Sequence, residues 1–141
     1  MRPRALLDTN FFVYAYERPA SNSRRIVDLL NRGRLEGVVT DRVVREVMRF
    51  FRRHHGKDVA SRFRDYLFAV CRVVWASEIA PEMKQLRGQV KEKDLEQIAA
   101  VRALGLRYLV SYDKDFQAFP EYVTPREFLR LLGAEVGDRE Y

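Results

Sequence analysis

The sequence has one cysteine and no apolar run long enough to cross a bilayer. Cys71 lies within an apolar run, so an intrachain disulfide is excluded, and the thiol is expected to be a small buried side chain. The chain also lacks an internal repeat, a linker, a low-complexity tract and a targeting segment. These absences predict one globular domain over residues 1–141, with an intracellular, cytoplasmic location rather than a secreted or membrane one.

Basic residues outnumber acidic residues by 26 to 20, which gives a formal net charge of +6. The apolar fraction of 47% is typical of a chain that folds around a core. Most of the basic excess is arginine, whose planar guanidinium group suits phosphate. The balance therefore favours a nucleic acid or an acidic protein as partner, although solvated helix faces also carry arginines of this kind.

Strand-like and helix-like segments alternate along the chain, which is the pattern of a parallel sheet covered by helices. The clearest helical signal has Val44, Val47, Met48 and Phe51 at positions i, i+3, i+4 and i+7. Short β-branched or apolar runs predict strands at 5–8, 37–40, 71–75, 108–111 and 122–123. The predicted fold class is α/β, a three-layer α/β/α arrangement with a central parallel sheet.

Two of the predicted strands are followed directly by carboxylates. Asp8 ends the first strand, and Asp113 and Asp115 follow the fourth. Ligands in open α/β sheets bind just beyond the carboxyl ends of the strands, so these residues are candidates for a site. Taken alone, Asp8 is better explained as an Asx turn or a helix N-cap.

Two further carboxylates lie in predicted helices. Glu46 lies on the flank of a buried helix face, where an unpaired ionised carboxylate is costly. An ion pair with Arg42 or Arg49 would explain it without any function. Asp94 opens its predicted helix, where it and Gln97, three residues later, could simply form a capping box.

Carboxylates that converge from separate elements on one sheet edge repel one another unless a divalent cation lies among them. Asp8, Glu46, Asp94 and Asp113 offer only oxygen ligands, which favour Mg²⁺, with Mn²⁺ as the alternative. Such an ion activates water and stabilises charge on a phosphate. In a basic protein, this site predicts metal-dependent hydrolysis of a nucleic-acid phosphodiester.

Four segments, in this order, resemble the PIN domain family, and more closely the VapC-like toxin ribonucleases of VapBC toxin–antitoxin pairs. The segments are Leu6-Leu7-Asp8-Thr9-Asn10, then 40–46 (TDRVVRE), 93–100 (KDLEQIAA) and 111–116 (SYDKDF). The segment 124–128 (TPREF) is similar to the closing helix of the family. Each segment is weak by itself, whereas four in order make a specific signal.

The resemblance implies a PIN-like sheet with strand order 3-2-1-4-5, which places the first strand beside the fourth. It implies an endoribonuclease acting on single-stranded RNA with Mg²⁺ or Mn²⁺ at four catalytic and metal-binding carboxylates, Asp8, Glu46, Asp94 and Asp113. It also implies a homodimer that a cognate antitoxin protein inhibits. The residues expected to support the site are Thr9, Asn10, Thr40, Ser111 and Asp115.

In this interpretation Asp8 is the central metal ligand and Glu46 orients or deprotonates the attacking water. Two alternatives remain at the level of sequence. A phosphoryl-accepting domain of the receiver or haloacid-dehalogenase type also ends its first strand in Asp. A non-catalytic PIN-like module would bind RNA or protein without turnover. Tyr14 and Tyr16 are expected in the core or at a dimer interface rather than as base-stacking groups.

Overall fold

A computed structural model describes residues 2–141, in which five parallel strands form one sheet of order β3-β2-β1-β4-β5. The strands are β1 (Arg4–Leu7), β2 (Glu36–Thr40), β3 (Cys71–Val74), β4 (Tyr108–Val110) and β5 (Tyr122–Val123). The predicted fold class and strand order are confirmed. Receiver domains have the order 2-1-3-4-5, so the sheet does not support that alternative. Because β1 lies between β2 and β4, the residues that follow these three strands meet at one edge.

Helices cover both faces of the sheet. The α-helices are α1 (Thr9–Glu17), α2 (Asn22–Asn31), α3 (Asp41–His55), α4 (Lys57–Val70), α5 (Ala80–Leu86), α6 (Glu92–Leu104) and α7 (Pro125–Leu131). Short 3₁₀ turns occupy Ala76–Ile79 and Lys114–Ala118. Within residues 2–141, no helix has the length and apolar character needed to cross a bilayer.

The core consists of two apolar clusters, one on each face of the sheet. Leu7 and Val39 belong to the cluster covered by α1, α2, α3, α4 and α7, while Leu6 and Val38 belong to the cluster covered by α5 and α6. Successive strand residues point to opposite faces, so both faces of these strands are buried and the strands read as continuous apolar runs. The packed sheet is a rigid support for the residues at its edge.

Side-chain caps set where several helices begin. Asp8 caps α1, Thr40 caps α3 through the Val43 backbone N–H, and Thr124 caps α7 through the Glu127 backbone N–H. Both Asp8 and Thr40 stand at the carboxyl end of a strand and the start of a helix. The local structure therefore turns each of these polar side chains toward the same edge of the sheet.

Helix α6 begins at Glu92, two residues before the predicted start at Asp94. Its N-cap is Lys91, which makes no side-chain capping bond, so the capping box of Asp94 with Gln97 that the sequence left open is not formed. The physical reason is that Gln97 points into the protein and bonds to Asp8 instead. Asp94 is thereby left in the first turn of the helix, buried with 5% of its surface exposed.

Candidate active site

An open cleft of about 580 Å³ lies where the chain leaves β1, β2 and β4. The four predicted carboxylates, Asp8, Glu46, Asp94 and Asp113, all line this cleft. They come from four different parts of the chain: the end of β1, helix α3, helix α6 and the turn after β4. The fold therefore brings together side chains that are far apart in sequence.

Asp8 is held by three hydrogen bonds. Its Oδ1 accepts from the Thr9 backbone N–H at 2.8 Å and from Gln97 Nε2 at 3.0 Å, and its Oδ2 accepts from Ser111 Oγ at 2.7 Å. The residue is buried, with 8% of its surface exposed. The N-cap role and the position in the cleft therefore belong to the same carboxylate and are not competing explanations.

Gln97 is the residue of this site that sequence analysis missed. While its Nε2 donates to Asp8, its Oε1 accepts from Thr40 Oγ1 at 3.2 Å, and that hydroxyl accepts from the Val43 backbone N–H at 3.2 Å. One amide thus joins β1, α6 and the start of α3. Gln97 lies in the run 94–101, which is buried throughout. An amide side chain in a buried run requires hydrogen-bond partners, and this requirement is the signal that could have found it.

Ser111 and Asn10 hold the turn that carries Asp113. Ser111, fully buried at the end of β4, donates to Asp8 and accepts from the Asp113 backbone N–H at 2.9 Å. Asn10 Oδ1 accepts from the Tyr112 backbone N–H at 3.2 Å, and Asn10 Nδ2 lies 3.4 Å from Ser111 Oγ. These bonds fix the position of Asp113 relative to Asp8.

Glu46 forms the predicted ion pair with Arg42, whose Nε lies 3.2 Å from Glu46 Oε1. Burial nevertheless raises the pKa of Glu46 above its usual value, against the opposing charge of Arg42, and the charge of Asp8 raises it further. The ion pair therefore offsets the effect of burial on this pKa only in part.

Asp94 is influenced by the other carboxylates of the cleft. Burial raises its pKa most, the neighbouring Lys93 opposes this, and the charges of Asp113, Asp115 and Asp8 raise the pKa further. The cleft therefore concentrates negative charge that a bound cation would offset.

Asp115 lies at the exposed rim and not among the residues that line the cleft. Lys93 Nζ lies 2.6 Å from Asp115 Oδ2 and 3.7 Å from Asp113 Oδ2. The hydrogen bond from Lys93 holds the pKa of Asp115 below its usual value. The Asp115 backbone N–H donates to Asp113 Oδ1 at 2.9 Å, so Asp115 belongs to the turn that carries Asp113.

The donor chemistry of the cleft fits a hard divalent cation. Its acidic oxygens are joined by Thr9 Oγ1, a buried hydroxyl without a hydrogen-bond partner among residues 2–141. In that part of the chain no three Asp, Glu, His or Cys side chains lie close enough to form a complete ligand set by themselves. Mg²⁺ suits such spacing, because it keeps several waters and takes only one or two carboxylates directly.

An acidic cleft at the carboxyl edge of a parallel five-stranded sheet defines the class of this protein as an α/β protein with a site at its strand ends. The sequence profile of the PIN domain matches residues 5–122, and the chain belongs to the PIN domain family. No curated protein matched the chain in a separate comparison.

Three solved structures share the fold at low sequence identity. A toxin–antitoxin complex from Klebsiella pneumoniae has a TM-score of 0.68 at 22% identity, covering 86% of this chain and 97% of its own. VapBC2 from Rickettsia felis, bound to a DNA fragment from its promoter, has a TM-score of 0.66 at 16% identity, covering 86% and 96%. VapC20 from Mycobacterium tuberculosis, a toxin that cleaves the sarcin–ricin loop, has a TM-score of 0.60 at 18% identity, covering 81% and 93%.

Proposed function

We propose that this PIN domain is a metal-dependent endoribonuclease that hydrolyses single-stranded RNA, acting in the cytoplasm as the toxin of a type II toxin–antitoxin pair. The observation that carries the proposal is the convergence of Asp8, Glu46, Asp94 and Asp113 on one cleft. The fold shared with a toxin that cleaves the sarcin–ricin loop supports RNA as the substrate. The net charge of +6 suits a polyanion.

Each carboxylate has its own role in this proposal. Asp8, Asp94 and Asp113 hold Mg²⁺, or Mn²⁺ in its place, directly or through water. When bound, the ion supplies positive charge that stabilises the phosphodiester as it reacts and lowers the pKa of water. Glu46 accepts a proton from the attacking water at Oε2, because Oε1 is engaged by Arg42. Its raised pKa brings this base closer to a neutral working pH.

The decisive experiment is cleavage of labelled single-stranded RNA by the full chain, with and without Mn²⁺. Cleavage is expected only with the ion, and Asp8→Asn is expected to reduce it at least about 100-fold without unfolding the protein. The matched control is Asp65→Asn on α4, whose side chain is 72% exposed. Cleavage retained by Asp8→Asn contradicts the assignment, whereas RNA binding without cleavage by the unmodified chain supports the non-catalytic alternative.

We also propose a cognate antitoxin as partner, because two of the structures that share the fold are toxin–antitoxin complexes. A groove of about 350 Å³ among α1, α2 and α4 is lined partly by Tyr16, Phe63 and Tyr66 and suits an apolar segment of such a partner. Tyr16→Asp, at a position 41% exposed, is expected to weaken the complex with a co-expressed antitoxin and to leave RNA cleavage intact. Loss of RNA cleavage in this variant, or an unchanged complex with the antitoxin, would contradict the proposal that the antitoxin binds in this groove.

A homodimer is part of the same proposal. Light scattering after gel filtration is expected to give twice the chain mass of 16.7 kDa. A monomer at micromolar concentration would contradict the proposed dimer, but it would not affect the proposed function of the cleft.

A further inference from the structure

Three tyrosines and one arginine form a cluster at the rim of the acidic cleft, which we call the tyrosine platform: Tyr14, Tyr112, Tyr141 and Arg18. The rings of Tyr14 and Tyr141 are stacked, with centroids 5.1 Å apart and planes at 28°. Tyr112 packs its edge against Tyr14 at 4.6 Å. The guanidinium carbon of Arg18 lies 5.0 Å from the Tyr14 centroid and 4.7 Å from the Tyr141 centroid.

The platform is held in place by two buried polar residues at the start of α2. Ser23 Oγ lies 2.6 Å from the Tyr112 hydroxyl. Asn22 is fully buried, and its side chain donates to the Arg139 carbonyl at 2.9 Å and accepts from the Gly137 backbone N–H at 2.8 Å. Its backbone N–H donates to the Tyr141 carbonyl at 2.7 Å. The irregular segment that carries Tyr141 is therefore fixed on the body of the protein.

The platform is continuous with the catalytic cleft. Tyr14 and Arg18 line that cleft, and Arg18 and Tyr141 line a second cleft of about 570 Å³ beside it. Asn10 and Tyr14 are four residues apart on one face of α1, about 6 Å along its axis, and Arg18 follows as the C-cap residue of that helix.

Arg18 differs from the other cations of the cleft. Arg42 is paired with Glu46 at 3.2 Å, and Lys93 lies 3.7 Å from Asp113. Arg18 has no carboxylate within 4.0 Å among residues 2–141. Its guanidinium group lies over two tyrosine rings, and its charge stays available to a phosphate.

We propose that the tyrosine platform binds an unpaired base of the RNA beside the cleft that takes the scissile phosphodiester, with Arg18, which lines both clefts, contacting a phosphate of the same strand. This inference rests on the proposed function. Tyr141 is 44% exposed, which leaves ring surface for a base. Stacking of this kind accepts any base but requires that the base be unpaired, so the platform selects single strands over duplexes.

The test uses the cleavage-deficient Asp8→Asn chain and a fluorescent RNA of roughly 12 nucleotides, within the usual site size for single strands. Tyr141→Leu is expected to weaken binding roughly tenfold, since it removes the ring but keeps apolar bulk, while Tyr141→Phe restores it. The control is Phe68→Leu, which removes a ring 47% exposed and remote from the cleft. Melting curves check folding, and both Tyr141 variants keep the backbone carbonyl that Asn22 bonds.

Two further readouts separate stacking from a structural role. In a series of RNAs with one abasic position each, one position is expected to abolish the difference between Tyr141→Leu and Tyr141→Phe. Arg18→Gln is expected to reduce the slope of log affinity against log salt by about 0.7, the value for one lost phosphate contact on a single strand. Equal binding by both Tyr141 variants overturns the inference, and so does a difference in binding that no abasic position removes. Neither outcome bears on whether the unmodified chain cleaves RNA. Absence of RNA binding and cleavage overturns both proposals.

Discussion

Gln97 connects three elements through one side chain, and its substitution has consequences for both stability and activity. Gln97→Leu removes the donor to Asp8 and the acceptor of Thr40, which leaves a buried carboxylate and a buried hydroxyl each short of a bond. We expect the free energy of unfolding to fall by about 2 kcal/mol. RNA cleavage is expected to fall by at least about tenfold under conditions where the variant is fully folded, because Asp8 loses one of its three donors.

Denaturant unfolding and RNA cleavage measure the two effects separately. The matched control is Gln85→Leu, an exposed glutamine of α5, which should change neither quantity appreciably. Full cleavage by folded Gln97→Leu would show that the amide supports the fold only.

The four carboxylates were accessible to sequence analysis because each interrupts an apolar pattern or follows a strand. Asp8 is ambiguous alone and becomes a candidate site residue only together with Glu46, Asp94 and Asp113. For Gln97 the sequence offers only a possible local cap, since its partner Asp8 is 89 positions away and no pattern of spacing reveals such a contact. The sequence also does not reveal that Tyr14 lines the cleft, because its neighbours Tyr112 and Tyr141 are distant in sequence.

The packing of α3 against α6 brings two buried carboxyl groups together outside the cleft. Asp41 is 9% exposed and Glu96 is 5% exposed, and Asp41 Oδ2 accepts from Arg45 Nη1 at 2.9 Å. Burial raises the pKa of Glu96 above its ordinary value of 4.5, and the charge of Asp41 raises it further. Ionised Glu96 is therefore an unfavourable feature of this helix contact.

The stability that Glu96 contributes is full below pH 4.5 and is lost as pH rises through its folded pKa, because the raised pKa means that the folded state binds this proton more tightly. Glu96→Gln keeps a donor toward Asp41 at every pH. We expect this variant to be more stable than the unmodified chain at neutral pH, with an advantage that shrinks as the pH is lowered toward 4.5.

Urea unfolding at several pH values tests this expectation, with Glu135→Gln, whose side chain is 89% exposed, as the control that should show no such trend. An advantage of Glu96→Gln that is equal at all pH values would rule out titration of Glu96 as the cause.

Periodicity and turn residues predicted the elements well, because the strands are apolar on both faces and the helices α3 and α7 have clear apolar faces or caps. The start of α6 was misplaced because Lys91 makes no side-chain capping bond. Its run 94–101 is buried throughout, so it lacks the polar face that marks a surface helix. A helix boundary that is determined by tertiary contacts leaves little signal in the local sequence.

On the scale of the whole molecule, a chain with net charge +6 encloses a cleft lined by Asp8, Glu46, Asp94 and Asp113. Partial burial and the charge of Asp8 raise the pKa of Glu46, and burial and the charges of Asp113, Asp115 and Asp8 raise the pKa of Asp94, so both carboxylates are less favourable in their ionised form. A divalent cation relieves this repulsion only in the folded state, since the unfolded chain separates the four residues. Metal binding is therefore coupled to global stability.

We expect Mg²⁺ or Mn²⁺ to raise the thermal midpoint of the unmodified chain. An ion at ten times its dissociation constant adds about 1.4 kcal/mol, which for a domain of this size is a shift of roughly 4–6 °C. The shift should grow with the logarithm of metal concentration and should be lost in Asp8→Asn, while Asp65→Asn keeps it. Scanning calorimetry with the metal titrated at constant ionic strength measures it, and NaCl at matched ionic strength controls for screening. An equal shift in Asp8→Asn would place the ion elsewhere, and no shift at millimolar Mg²⁺ or Mn²⁺ would contradict a metal site in this cleft.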